Sequence, residues 1–206
     1  MLHPFFPTGP LRRIAALILA ATLLFAPVAR VTAHPDHFNE SELSAAVQFP
    51  LILKILQFDR NLATRVGKEI VIAAVYQGRY RASTRARDDV RRAAEEAIGQ
   101  RVSELPIRVV EIDIEQMKLA DALDLLEVDV VYLMPLRAVD IGDITRITRE
   151  RDVATVTGVE DYVYHGVAVG LGVYQEKPRV LVNLEASRAE GMEFSSRLLK
   201  LALVVN

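Results

Sequence analysis

From Glu69 onward the chain alternates short apolar blocks with helical periods, and no other feature limits the fold as tightly. Ile70-Val71-Ile72-Ala73-Ala74-Val75-Tyr76 is an apolar run of strand length, and Gly78 closes it. A strand apolar on both faces has to be buried on both. Ala86, Val90, Ala93, Ala94, Ala97 and Ile98 then recur at helical spacing up to Gly99, among arginines and acids suited to water. The same unit repeats. Ile107 to Ile112 is a second predicted strand, followed by a helix marked by Met117, Ala120, Leu123 and Leu126. Val128 to Met134 is a third, followed by a helix marked by Ile141, Ile144 and Ile147, and Val153 to Val156 is a fourth.

Such alternation predicts an α/β protein: a three-layer αβα sandwich around a mostly parallel, flavodoxin/Rossmann-like sheet. The last third departs from it. Val167 to Tyr174 and Arg179 to Leu184 are two β-rich runs joined by Gln175-Glu176-Lys177-Pro178, which predicts an antiparallel hairpin. A closing helix is expected after it, capped by Ser195 or Ser196, with Leu198, Leu201 and Val205 on its inner face. Ahead of the first strand, Leu43 to Phe58 carries apolar residues at helical spacing, with Pro50 in their midst. A proline inside a helix costs about 3 kcal/mol, so this helix either begins near Phe49 or kinks at Pro50.

The N-terminus reads as an address. Arg12 and Arg13 precede an apolar and small-residue run from Ile14 to Phe25, and Val31-Thr32-Ala33 supplies small residues for a cleavage site. Pro27 and Arg30 end the run short of the roughly 20 apolar residues that a membrane span needs. The expected organisation is a cleavable signal peptide over residues 1–33, a polar leader with the start of the first helix over 34–48, and a single α/β domain over 49–206. Export followed by cleavage near Ala33 would leave a periplasmic protein that does not itself span the membrane. Losing Arg12, Arg13 and Arg30 takes the basic count from 25 to 22 against 27 acidic residues, moving the formal net charge from −2 to −5. A chain of that sign lacks the long-range attraction that holds proteins to nucleic acid. With no cysteine, it has no disulfide framework, thiolate metal site or catalytic thiol.

Motifs that could carry chemistry are weak. Gly166, Gly170 and Gly172 do not form a dinucleotide-binding turn and sit inside a strand run, where close packing explains them. His34, Asp36 and His37 offer two histidines where a zinc site needs three or four converging ligands, so no metal and no cofactor is expected. Asp121, Asp124, Asp140 and Asp143 fall on polar helix faces, and His165 lacks a nucleophile and an orienting acid. Arg79, Arg81, Arg85 and Arg87 follow the first strand into the first sheet helix, at the edge where doubly wound sheets bind ligands. A solvated helix start balanced by Asp88 and Asp89 is the better account of them, because the spacing is irregular and includes no phosphate-binding glycine pattern.

Several stretches resemble the YfiR-like family of exported proteins. They are Gly166-Val-Ala-Val-Gly170; Pro178-Arg-Val-Leu-Val-Asn183-Leu-Glu-Ala-Ser-Arg-Ala-Glu-Gly191; and Phe194-Ser-Ser-Arg-Leu-Leu-Lys-Leu-Ala202. Ile52-Leu-Lys-Ile-Leu-Gln-Phe-Asp-Arg-Asn61 and Val156-Thr-Gly158 extend the likeness upstream. Asn183, Gly191, Ser195, Ser196, Arg197 and Leu198 belong to this motif as packing residues. The resemblance implies a periplasmic α/β sandwich in a family whose members inhibit a membrane-bound diguanylate cyclase through its periplasmic part.

Two functions follow as expectations, neither of them enzymatic. One is a regulator that dimerises or caps the periplasmic domain of an inner-membrane signalling protein. The other is a periplasmic small-molecule receptor, with a site at the C-terminal strand edge formed by Tyr76, Arg79, Met134, Pro135, Thr157 and Gly158. N-terminal sequencing of the exported protein should begin at or near His34; a membrane-bound product that retains Met1 would contradict the signal-peptide assignment.

Overall fold

The computed structural model describes residues 43–205; the expected signal peptide and most of the leader lie outside the described residues. The elements run α1 (Ala45–Leu56), α2 (Leu62–Arg65), β1 (Ile70–Tyr76), α3 (Arg81–Glu96), β2 (Arg101–Val102), β3 (Leu105–Asp113), α4 (Leu119–Leu126) and β4 (Val130–Leu133). They continue with α5 (Ile141–Arg149), β5 (Ala154–Thr157), α6 (Asp161–Tyr164), β6 (Val169–Tyr174), β7 (Lys177–Asn183), α7 (Leu184–Ala189), α8 (Ser196–Leu199) and β8 (Leu203–Val205).

All eight strands form one sheet in the order β2-β3-β1-β4-β5-β6-β7-β8. β1 pairs in parallel with β3 on one side and β4 on the other, and β5 and β6 continue that direction. The pleat divides β1 between two cores. Ile70, Ile72 and Ala74 join Phe49, Ile52 and Leu56 of α1, Val90 and Ala93 of α3, Ala186 of α7 and Leu198 of α8. Val71, Ala73 and Val75 join Leu119 and Leu123 of α4, Ile141 and Ile144 of α5, and Tyr162 of α6. Two helical layers enclose one sheet, the sandwich predicted from the two-faced strands.

Four features differ from the sequence reading or go beyond it, the first being the helix left open between a start near Phe49 and a kink at Pro50. The first helix does not begin near Phe49: α1 starts at Ala45 and continues past Pro50, which lies on its exposed side. The carbonyl that loses its partner there belongs to Ala46, an exposed residue, so water can satisfy it. A hairpin absent from the sequence reading joins β2 to β3, turning through Ser103 and Glu104 in left-handed conformations. In the expected hairpin, the turn is only Gln175-Glu176, both left-handed, and Lys177 and Pro178 already belong to β7. Primed two-residue turns match strand twist, and here they form without the usual glycine or asparagine.

The fourth difference concerns the closing segment. Its helix, α8, is a single turn, and the chain then adds β8 in parallel to β7, pairing Leu203 with Leu181 and Val204 with Val182. Leu198 is buried at 3% exposure, but Leu201 is 74% exposed and Val205 lies in the strand. Ser195 occupies the N-cap position without a capping bond, and its hydroxyl is buried with no partner among the described residues. Ser196 opens the helix, and neither serine caps it. The open edge of β7 has backbone groups to satisfy, and Val204-Val205 is suited to a strand, so pairing prevails over helical spacing.

The other motif residues are structural. Asn183 is the N-cap of α7, accepting from the Ala186 amide at 2.9 Å, and donates through its side chain to the Val163 carbonyl. Gly191 has φ +75°, and a Cβ there would stand 2.9 Å from Arg65 Cδ, so both conformation and space call for glycine. Arg197 is on α8. Leu198→Asp should cost several kcal/mol, comparable with a whole domain stability of about 5–15 kcal/mol, whereas Leu201→Asp should leave the thermal transition nearly unchanged; equal effects would mean that the closing segment is not packed as described.

Candidate functional site

Because β1, β3, β4 and β5 run in one direction, the segments that leave them gather at one edge of the sheet. A cavity of about 270 Å³ opens there between α1, the first turns of α3 and the ends of β4 and β5. Its lining mixes small and apolar residues with the polar Ser44, Gln48, Arg85, Asp89 and Tyr132. Gln48 and Tyr132 are 5% and 2% exposed. The Tyr132 hydroxyl donates to Gln48 Oε1, and Gln48 Nε2 donates to the Leu43 carbonyl. Burial pushes the Tyr132 hydroxyl far above its ordinary range, so it stays a neutral donor. Gly158 makes room for this pair, since a Cβ there would lie 1.9 Å from Gln48 Oε1.

Further hydrogen bonds fix the loops around the cavity. Thr157 Oγ1 donates to the Leu133 carbonyl at 3.1 Å and accepts from the Val159 amide at 3.0 Å, linking the ends of β4 and β5. The Tyr162 hydroxyl accepts from the Leu136 amide at 2.7 Å and donates to its carbonyl at 3.2 Å. Burial raises Tyr162 to about 12. The Gln77 amide accepts from the Arg137 backbone at 2.9 Å and returns a bond to its carbonyl at 3.2 Å, joining the β1 and β4 loops. Such neutral bonds hold a mouth without burying charge.

Met134, Pro135 and Gly158 line this cavity. Thr157 is buried beneath it as a brace, and Tyr76 and Arg79 lie outside its walls. The Tyr76 ring sits under the Arg87 guanidinium, 4.5 Å from its centroid, and Arg87 pairs with Glu111 at 2.6 Å. Arg79 is exposed, with its backbone amide donating to Glu115 at 2.7 Å. Gln48 and Tyr132 were missed; the available signal was a polar residue on the apolar face of α1 and a hydroxyl within an apolar strand. Elsewhere Asp140 caps α5 through the Gly142 amide, and His165 Nδ1 rests on the Asp161 carbonyl at 2.9 Å. Among the described residues no group of three or more His, Cys, Asp or Glu is placed to hold a metal ion.

A second buried polar centre lies beside the start of β5. Glu190 is fully buried; its carboxyl accepts from the Thr155 amide at 2.7 Å and the Thr155 hydroxyl at 2.8 Å, and Thr148 Oγ1 is 3.5 Å away. Burial raises its pKa to about 8, outweighing the Thr155 hydrogen bonds and the more distant Arg149 and Arg65. The folded protein therefore holds a proton that the unfolded chain releases near 4.5. That contribution to stability is complete below pH 4.5 and is lost as pH rises through 8, by up to about 1.4 kcal/mol per pH unit. Chemical denaturation should show stability falling between pH 5 and pH 8, and Glu190→Gln should flatten the slope; an unchanged slope would mean that Glu190 is ionised in the fold.

An α/β sheet with a cavity at the C-terminal edge of its parallel strands is a fold shared with several solved structures. A conserved domain protein from Vibrio cholerae aligns with a TM-score of 0.56 at 14% identity, covering 80% of this chain and 61% of its own. An ABC domain in complex with L-Trp from Streptococcus pneumonia aligns at 0.50 and 11% identity, over 73% and 62%. A ligand-free, open substrate binding protein with adhesive properties from Clostridium difficile aligns at 0.50 and 16%, over 71% and 57%. The chain thus spans about three fifths of these structures' length, and at such identities the likeness concerns the fold alone. No curated protein matches significantly. The sequence pattern of the YfiR/HmsC-like family matches residues 77–203, more than half of the chain, and the protein belongs to that family.

Proposed function

We propose that this protein is an exported, non-catalytic regulator that binds the periplasmic domain of an inner-membrane signalling protein, such as a diguanylate cyclase, and inhibits it. Membership of the YfiR/HmsC-like family carries this reading. The chemistry of the edge cavity supports binding rather than catalysis. Its floor is a tyrosine held neutral by burial against a glutamine amide, and Asp89 in its wall is ion-paired to Arg92. A tyrosine held neutral by burial is not poised to exchange a proton near neutral pH. Residues 1–33 act in this reading as the cleaved signal peptide, and among the described residues no helix is long and apolar enough to cross a membrane.

The cavity favours a second reading, in which the protein is a periplasmic receptor for a small molecule. A pull-down with the exported protein from solubilised inner membrane separates the two. Recovery of one membrane signalling protein, together with a change in cyclic-di-GMP on gene deletion that only an export-competent copy reverses, is the expected result. No membrane partner and unchanged cyclic-di-GMP would overturn the regulator reading and leave the receptor.

A further inference from the structure

The arginines of α3 are not used alike. Arg87 pairs with Asp88 and Glu111, Arg91 with Asp88, Glu95 and Glu111, and Arg92 with Asp89. Arg85 is exposed at the wall of the edge cavity and makes no ion pair among the described residues. Among the described residues the one carboxylate in that wall, Asp89, is already paired with Arg92, which leaves Arg85 as the cavity's unmatched charge there. Beside it on α3 the lining includes Ala82, Ala86 and Val90, and from the β4 and β5 loops come Met134, Pro135 and Val159. The buried Tyr132–Gln48 hydrogen bond lies in the same lining, so the neutral polar groups there are already matched.

We propose that this cavity binds a small molecule with a flat or compact apolar body and one anionic group, the body against Met134 and Pro135 and the anion at Arg85. The inference rests on the receptor reading above and names the ligand class for that site. A volume of about 270 Å³ holds about nine non-hydrogen atoms at roughly 30 Å³ each, the share of a water molecule in the liquid. Such a molecule buries its body in the apolar walls and keeps its charge within reach of a partly hydrated guanidinium, which avoids desolvating an unpaired ion. A cation would meet Arg85 at the same position. A neutral body of the same shape would gain the apolar contacts but not the charge-assisted bond.

The test uses two isosteric probes, 4-fluorobenzoate and 4-fluorobenzamide, titrated with the purified exported chain and followed by fluorine NMR. Saturable binding of the benzoate, about five- to tenfold tighter than the amide, is the expected result, a ratio in keeping with a charge-assisted contact at an exposed arginine. Arg85→Glu should remove that preference and leave the thermal transition intact, because the side chain is exposed. Ala86→Phe, if it melts like the native protein, should exclude both probes. Equal affinity for the two probes, unchanged by Arg85→Glu, overturns the anionic ligand class while the cavity remains a receptor site. No saturable response to either probe in the native protein overturns the receptor reading and the proposal with it.

Discussion

The rest of the structure depends on β1 being buried on both faces while hydrogen-bonded along both edges. Six of its seven residues, Ile70 to Val75, are buried, and its partners β3 and β4 run parallel to it. A central strand of this kind cannot be covered from one side alone, which is why the intervening segments return across both faces as helices. Parallel direction has a second consequence. β1, β3, β4, β5 and β6 all end at the same edge, so the loops after β1, β4 and β5 converge and leave a space that α1 and α3 wall in.

At that edge the protein uses neutral polar groups where charges would be costly. Tyr132, Gln48, Thr157 and Tyr162 are all buried, and each meets a partner of matching polarity. Beside the start of β5 the same logic applies to an acid. Glu190 accepts bonds from Thr155 in a dry site and keeps its proton well above the usual carboxylate range. Neither arrangement resembles a catalytic pair. Both are ways of satisfying backbone and side-chain groups that strand ends and helix ends leave behind.

The functional reading joins two kinds of support. Family membership points to a regulator, and the edge cavity points to a small ligand. The two are compatible in one molecule, because a small ligand in the edge cavity would leave the other surfaces of the sandwich free for a protein partner. The fold itself does not choose between them, since α/β sandwiches host many activities. The choice lies in which surfaces are used.

The four parallel strands β1, β3, β4 and β5 were legible because an apolar run of strand length has one economical resting place, inside a covered sheet. Topology alone also placed Met134, Pro135 and Gly158 at the edge where they line the cavity. Other features depended on partners distant in sequence. Gln48 joins the site only because α1 packs across β4, 84 residues away, and Tyr132 points to it from a strand that reads as uniformly apolar. The turns at Ser103-Glu104 and Gln175-Glu176 carry no residue that signals a left-handed backbone; strand pairing imposes it. Leu201 and Val205 fit a helical stripe in the sequence, yet the unpaired edge of β7 draws the chain into β8 and leaves Leu201 in water. Local pattern determined which segments must be buried, because burial follows from the residues themselves. Tertiary structure decided which polar groups meet and how the ends pair, because hydrogen bonds depend on what stands opposite.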